Sequence, residues 1–126
     1  MFSKLFSAPK ADSLAWNSLS SEAQLNNIFA ASFEVPQLIF KHSTRCSIST
    51  MALNRLERDW TFDHEILVPH YLDLLDFRAI SDKVTQMFGV THESPQALVI
   101  DQGKCVFHAE HNLIGVKTIS EFLQNN

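Results

Sequence analysis

Two residues of this chain have the chemistry for covalent redox work, Cys46 and Cys105, and their neighbourhoods differ. Cys46 follows a short apolar run, Gln37-Leu38-Ile39-Phe40-Lys41-His42, and precedes a segment of helical periodicity, so it falls where a strand hands over to a helix. A thiol there faces unpaired N–H groups and the positive end of the helix dipole, which favour the thiolate, the attacking form. Arg45 just before it, with Lys41 and His42 at the strand end, is expected to add positive charge and to draw an anionic thiol substrate. Ser49 stands where a Cys-x-x-Cys oxidoreductase has its second cysteine, the motif here being Cys46-Ser47-Ile48-Ser49. With no resolving thiol one turn along, a mixed disulfide on Cys46 persists until an external thiol attacks it, which predicts monothiol exchange. The bland alternative is a Cys46 that is only a small buried hydrophobe. Cys105, in an alternating strand beside Val106 and Phe107, reads as a packed residue; pairing it with Cys46 requires Cα atoms within about 7 Å. Ser94-Pro95 directly precedes the run Gln96-Ala97-Leu98-Val99-Ile100. Proline is acceptable at the first position of a strand, and an X-Pro bond in a tight approach is where a cis isomer is kept. The sequence leaves the isomer open; in the cis form the Ser94 backbone would present its N–H and C=O to an extended substrate near Cys46.

Other chemistries fall away. The histidines at 42, 64, 70, 92, 108 and 111 include only one close pair, His108 and His111, without the spacing of a zinc site. Three glycines leave no Gly-x-Ser-x-Gly elbow and no phosphate-cradling loop. The net charge of −4, with ten basic residues spread along the chain, offers no basic stripe for nucleic acid. The N-terminal residues lack the continuous apolar stretch of a secretory signal, nothing approaches a membrane span, and two scattered cysteines suit a reducing cytoplasm.

The elements that must position these residues can be read from periodicity. At 126 residues, 45% hydrophobic with ten phenylalanines, the chain has enough apolar bulk for one core, so a single domain over 1–126 is expected, with 1–13 set apart as a candidate flexible segment. Leu14 and Trp16 alternate with polar neighbours as in a short edge strand. Leu25, Ile28 and Phe29 predict a helix over Ser21 to Ala31 with Ser20 or Ser21 as its cap. After the strand Gln37–His42, residues Ile48, Ala52, Leu56 and Trp60, joined by Met51, predict a helix face beginning near Cys46. Tyr71 to Leu75 reads as a strand whose beginning Pro69 marks, Asp76 as the cap of a helix carrying Phe77, Ile80, Val84 and Met87 or Phe88, and Gly89 as its C′ residue. The runs 96–100 and 104–108 flank Asp101-Gln102-Gly103, a hairpin signal. Val116, Ile119, Phe122 and Leu123 form a closing helix, capped by Gly115 or by Thr118 in a box with Glu121.

The order strand, helix, strand, helix, strand, helix, strand, strand, helix gives an α/β fold of the thioredoxin-like kind. It is a mixed sheet of four to five strands flanked by helices, with an N-terminal βαβ and a C-terminal ββα unit. Within it, Ile39-Phe40-Lys41-His42-Ser43-Thr44-Arg45-Cys46-Ser47-Ile48-Ser49 closely resembles the active-site segment of the YtxJ-like family, the monothiol bacilliredoxins. The resemblance extends over residues 20 to 124 through Tyr71-Leu72-Asp73-Leu74-Leu75, His92-Glu93-Ser94-Pro95-Gln96 at the cis-proline position, and Gly103-Lys104. Where the family segment more often has proline after the cysteine, this chain has Ser47. The resemblance implies removal of bacillithiol, a low-molecular-weight thiol, from S-thiolated client proteins in a reducing cytoplasm. Cys46 would be the nucleophile, Lys41, His42, Arg45, Ser49, Ser94 and Pro95 would line the substrate site, and bacillithiol would be co-substrate with no resident cofactor or metal. A similar scaffold can serve glutathione or another thiol. The competing reading is a thioredoxin-fold module that binds an extended peptide beside Pro95 without redox turnover.

Overall fold

A computed structural model describes residues 14–125, so the candidate flexible segment 1–13 lies outside the described residues. The order of elements is the expected one: β1 (Asn17–Ser18), α1 (Glu22–Ala31), β2 (Gln37–His42), α2 (Ser47–Asp59), β3 (Val68–Asp73), α3 (Arg78–Phe88), β4 (Gln96–Asp101), β5 (Lys104–Glu110) and α4 (Val116–Gln124), with a 3-10 turn at His111–Leu113. The sheet runs β1-β3-β2-β4-β5; β1, β3 and β2 are parallel, and β4 and β5 follow antiparallel. β2 is central and buried along its whole length, its apolar Leu38, Ile39 and Phe40 together with the polar Gln37, Lys41 and His42. Its alternation feeds two cores. Leu38 and Phe40 pack with Ala52 and Leu56 of α2 and Val116 and Ile119 of α4. Ile39 faces the other way, with Leu25 and Ile28 of α1 and Val84 of α3. Among the described residues, no helix is long and apolar enough to cross a membrane.

Several boundaries differ from the expectation, each for a local reason. Leu14 and Trp16 are not in a strand; β1 is two residues long, and Trp16 instead packs on Phe40, Trp60 and Tyr71 with ring centroids 5.8, 6.2 and 5.9 Å away. β3 begins before Pro69 and ends at Asp73. Alternate residues of a parallel strand bond to opposite neighbours. Val68 N–H bonds to Pro36 on the β2 side, so the nitrogen of Pro69 points toward the edge, where β1 pairs only with His70 and Tyr71 and no ladder bond is lost. The strand stops because the Asp73 carboxylate accepts the N–H groups of Leu75 (3.1 Å) and Asp76 (3.4 Å), turning the chain. Asp76 is therefore not the cap of α3; Phe77 holds that position without a side-chain bond. In α2, Ile48 and Met51 are exposed and the buried stripe is Ser49, Ala52 and Leu56. Trp60 is buried beyond the helix end, its indole N–H donating to Phe62 O at 3.0 Å. In α4 the helix starts at Val116, so Thr118 lies inside it and bonds back to Gly115 O instead of boxing with Glu121.

Other signals act as expected. Ser21 and Gln24 form a reciprocal capping box on α1, and Gly89 ends α3 in the left-handed region at φ 68°. Gln102 and Gly103, with φ 54° and 75°, make a two-residue turn of the type that matches strand twist. A Cβ at Gly103 would lie 2.8 Å from the Phe33 ring, so this position also needs the missing side chain.

His70 in β3 predicts an acid sensitivity. Burial, then the charge of His64, lowers its pKa from 6.5 to about 4, and its Nε2 sits 2.7 Å from Gln37 Oε1. Between those two pH values the unfolded chain binds the proton and the folded one does not, so stability is full above pH 6.5 and falls as the pH drops toward 4. Allowing for the partial exposure of the ring, the loss is about 2 kcal/mol. Urea unfolding at pH 7 and pH 4 should show a His70→Gln protein losing about 2 kcal/mol less than the parent over that interval; equal losses would refute the assignment.

Candidate functional site

β2 ends at His42, the chain turns through Ser43 to Arg45, and Cys46 occupies the cap position of α2 in an extended conformation (φ −113°, ψ 121°). Cys46 N–H donates to Ser43 O at 3.2 Å, and Cys46 O accepts the Thr50 N–H at 3.0 Å, the first bond of the helix. The N–H groups of the first turn of α2 open toward this cap position, where the half-buried Cys46 side chain makes no capping bond of its own. A thiol in this place meets the positive end of a 13-residue helix.

The turn is held from beneath by a pair that the sequence read as substrate contacts. Ser49 is wholly buried; its hydroxyl accepts the Ser43 N–H at 3.0 Å and lies 2.7 Å from His42 Nδ1. His42 is 4% exposed, its ring stacked on Phe40 and tilted against Tyr71. Burial lowers its pKa, with Asp73, Glu57 and a backbone hydrogen bond at Ser49 opposing. Lys41 is fully buried and points to the opposite layer, its Nζ 3.3 Å from Ser81 O, 3.2 Å from Thr85 Oγ1 and 3.2 Å from His92 Nδ1. The expectation of Lys41 and His42 as rim charges is thus corrected. β2 pairs with β3 and β4 up to its last residues, which keeps both side chains between layers, and Arg45 is the exposed cation. Removing the Ser49 hydroxyl leaves the Ser43 N–H and His42 Nδ1 short of a partner. Ser49→Ala should cost about 1–3 kcal/mol in denaturant titration, and an unchanged midpoint would show the pair to be idle.

The Ser94-Pro95 bond is cis. Pro95 is buried and its carbonyl accepts the His111 N–H at 3.2 Å; Ser94 is half-buried and its hydroxyl has no hydrogen-bond partner. Gln96, which follows, pairs with Lys41, so this loop leaves the sheet at the same end as the Cys46 turn. His92 belongs to this same loop, and its contact with Lys41 spans 51 positions and leaves no local pattern in the sequence.

Cys105 stands elsewhere. It pairs with Ile100, which lies opposite Gln37 at the far end of β2. The length of β2 alone, about 16 Å, separates that end from the Cys46 turn, well beyond the reach of about 7 Å for a disulfide. The Cys105 thiol lies 3.3 Å from Phe107 O, and burial pushes its pKa up. A cavity of about 610 Å³, lined by Trp16, Gln37, Val68 and His70 among others, is also at that far end and holds none of the candidate residues.

Parallel β1, β3 and β2 extended by antiparallel β4 and β5, with two helices on each face, make this a thioredoxin-fold protein with a free thiol at the head of α2. A thioredoxin-fold structure described as a candidate oxidoreductase is similar over 90% of this chain and 97% of its own, at 25% identity and a TM-score of 0.75. Thioredoxin from Malassezia sympodialis is 13% identical over 88% of this chain and 90% of its own, at a TM-score of 0.68. Thioredoxin from Trypanosoma brucei brucei is 14% identical over 88% and 89%, at 0.69. The family is narrower than the fold: the model of monothiol bacilliredoxin BrxC matches residues 17–119, and the chain belongs to that family. Fold and family together support a thiol-oxidoreductase-like role with thiol-bearing partners.

Proposed function

We propose that this chain is a monothiol thiol–disulfide oxidoreductase that removes bacillithiol, or a similar small thiol, from S-thiolated proteins through a mixed disulfide on Cys46. The observation that carries this reading is the isolation of Cys46. At the motif position of a resolving cysteine stands Ser49, buried and already bonded, and the second cysteine is at the opposite end of the sheet. A thiolate at Cys46 attacks the small-thiol sulfur of the client mixed disulfide. The new bond joins Cys46 to the small thiol, and the client sulfur leaves as thiolate and takes a proton. A second small thiol then attacks this adduct, releasing the small-molecule disulfide and restoring Cys46, so one client disulfide and one thiol become one client thiol and one small disulfide. Bacillithiol is thus a co-substrate, and the setting is a compartment that keeps it reduced, taken here to be the cytoplasm. Arg45, exposed beside Cys46, suits the carboxylates of such a thiol, and the Ser94 backbone suits its peptide-like part. Lys41, His42 and Ser49 support the site without touching substrate.

The test is to mix the reduced protein with a bacillithiolated model protein, and separately with a glutathionylated one, and to read intact masses after quenching. The expected result is an adduct confined to Cys46 with the client freed, and the ratio of the two ranks the small thiols. No adduct with either, from folded protein, would overturn the redox reading in favour of a peptide-binding module.

A further inference from the structure

Lys41 is an ammonium with no exposed surface, in a position where a methionine would fill the same space. A buried ammonium is tolerated only when its donors are met. Here three donors meet three acceptors, drawn from two separate segments: Ser81 O and Thr85 Oγ1 on α3, and His92 Nδ1 in the loop between α3 and β4. The same loop is tied again by Gln96, the cross-strand neighbour of Lys41, whose amide N–H donates to Thr91 O at 3.0 Å. We propose that Lys41 is a positioning residue: its ammonium clasps the loop that carries Ser94 and Pro95 to α3 and so fixes the platform facing Cys46.

The clasp follows from β2 itself. Alternation turns Lys41 away from the Cys46 side and toward α3, where Ser81 and Thr85 provide polar atoms one turn apart in an otherwise apolar contact with Val84. Because an ammonium only donates, His92 accepts at Nδ1 and carries its proton on Nε2; the Ser81 hydroxyl, 3.4 Å from the same Nδ1, makes the longer contact, so it is chiefly the clasp that fixes this tautomer. The charges around the pair are Asp82, which favours the ammonium, and Arg78 and Glu93, which act on His92 in opposite directions. The role in transfer rests on the oxidoreductase reading above, whereas the clasp itself does not.

The test uses Lys41→Met, His92→Phe and the double variant in the full chain, with three readouts: transfer kinetics from a bacillithiolated client, alkylation of Cys46 by iodoacetamide, and ring nitrogen NMR of His92. In Lys41→Met, KM for the client should rise about tenfold with kcat changed less than about threefold, while alkylation of Cys46 stays within about twofold. The His92 signals should move from one tautomer to a mixture, and the double variant should lose no more than the worse single one. An unchanged KM, an unchanged His92 tautomer, or losses that multiply in the double variant would overturn the clasp. Should Lys41→Met fail to fold, His92→Phe carries the kinetic test, because it releases the loop and leaves the ammonium its two acceptors on α3. If the unmutated protein transfers nothing, the oxidoreductase reading has failed, and the His92 tautomer in the two proteins still decides whether the clasp exists.

Discussion

Cys46→Ser should abolish release of the small thiol from a thiolated client, lowering kcat/KM by roughly a thousandfold or more, because it removes the atom that forms the intermediate bond. Cys105→Ser should leave the same rate within about twofold, since that thiol lies beyond disulfide reach of the Cys46 turn. Its burial also raises its pKa and so disfavours the thiolate. Client release followed by mass spectrometry separates the two. A comparable loss in Cys105→Ser would mean that the resolving step runs through Cys105, and a transferring Cys46→Ser protein would mean that the nucleophile is another group altogether. The contrast is sharp because both residues are half-buried free thiols; only their places in the sheet differ.

The second large effect is a gain. Ser49→Cys restores a Cys-x-x-Cys spacing at the head of α2, and the side chain at 49 already reaches the Ser43 to Cys46 turn through its bond to the Ser43 N–H. In this variant the new thiol attacks the Cys46 adduct from within the molecule, so intact mass should show the adduct falling from the main species to less than about a tenth of the protein. In its place should appear a form lighter by two hydrogens than the reduced chain. The substitution sacrifices the hydroxyl contacts to Ser43 and His42, at a cost of about 1–3 kcal/mol. If the adduct persists as in the parent, the missing second cysteine is not what makes this a monothiol site, and the helix geometry around residue 49 must instead forbid closure.

Much of the scaffold was legible because it is written in local code. The buried run Gln37–His42, the Ser21 cap with Gln24 three residues on, the Gly89 terminus and the Gln102-Gly103 turn each reflect backbone or capping chemistry that acts over a few residues. Where competing local signals met, tertiary contacts won. Pro69 looks like a strand boundary until its nitrogen is seen to face an edge that demands no hydrogen bond there. Ile48 and Met51 look like a core stripe until the sheet lies under Ser49, Ala52 and Leu56 instead.

The candidate site divides along the same line. That Cys46 heads a helix, that its motif partner is Ser49, and that a proline loop opens the penultimate strand are properties of residue types at short spacing, visible in the chain alone. The sides taken by Lys41 and His42, the partners they keep, and the distance between the two thiols depend on strand order and register. A one-residue step along a strand turns a side chain to the opposite layer, and contacts between residues 41 and 92 exist only once β2 and β4 are paired, so only the folded sheet could assign them.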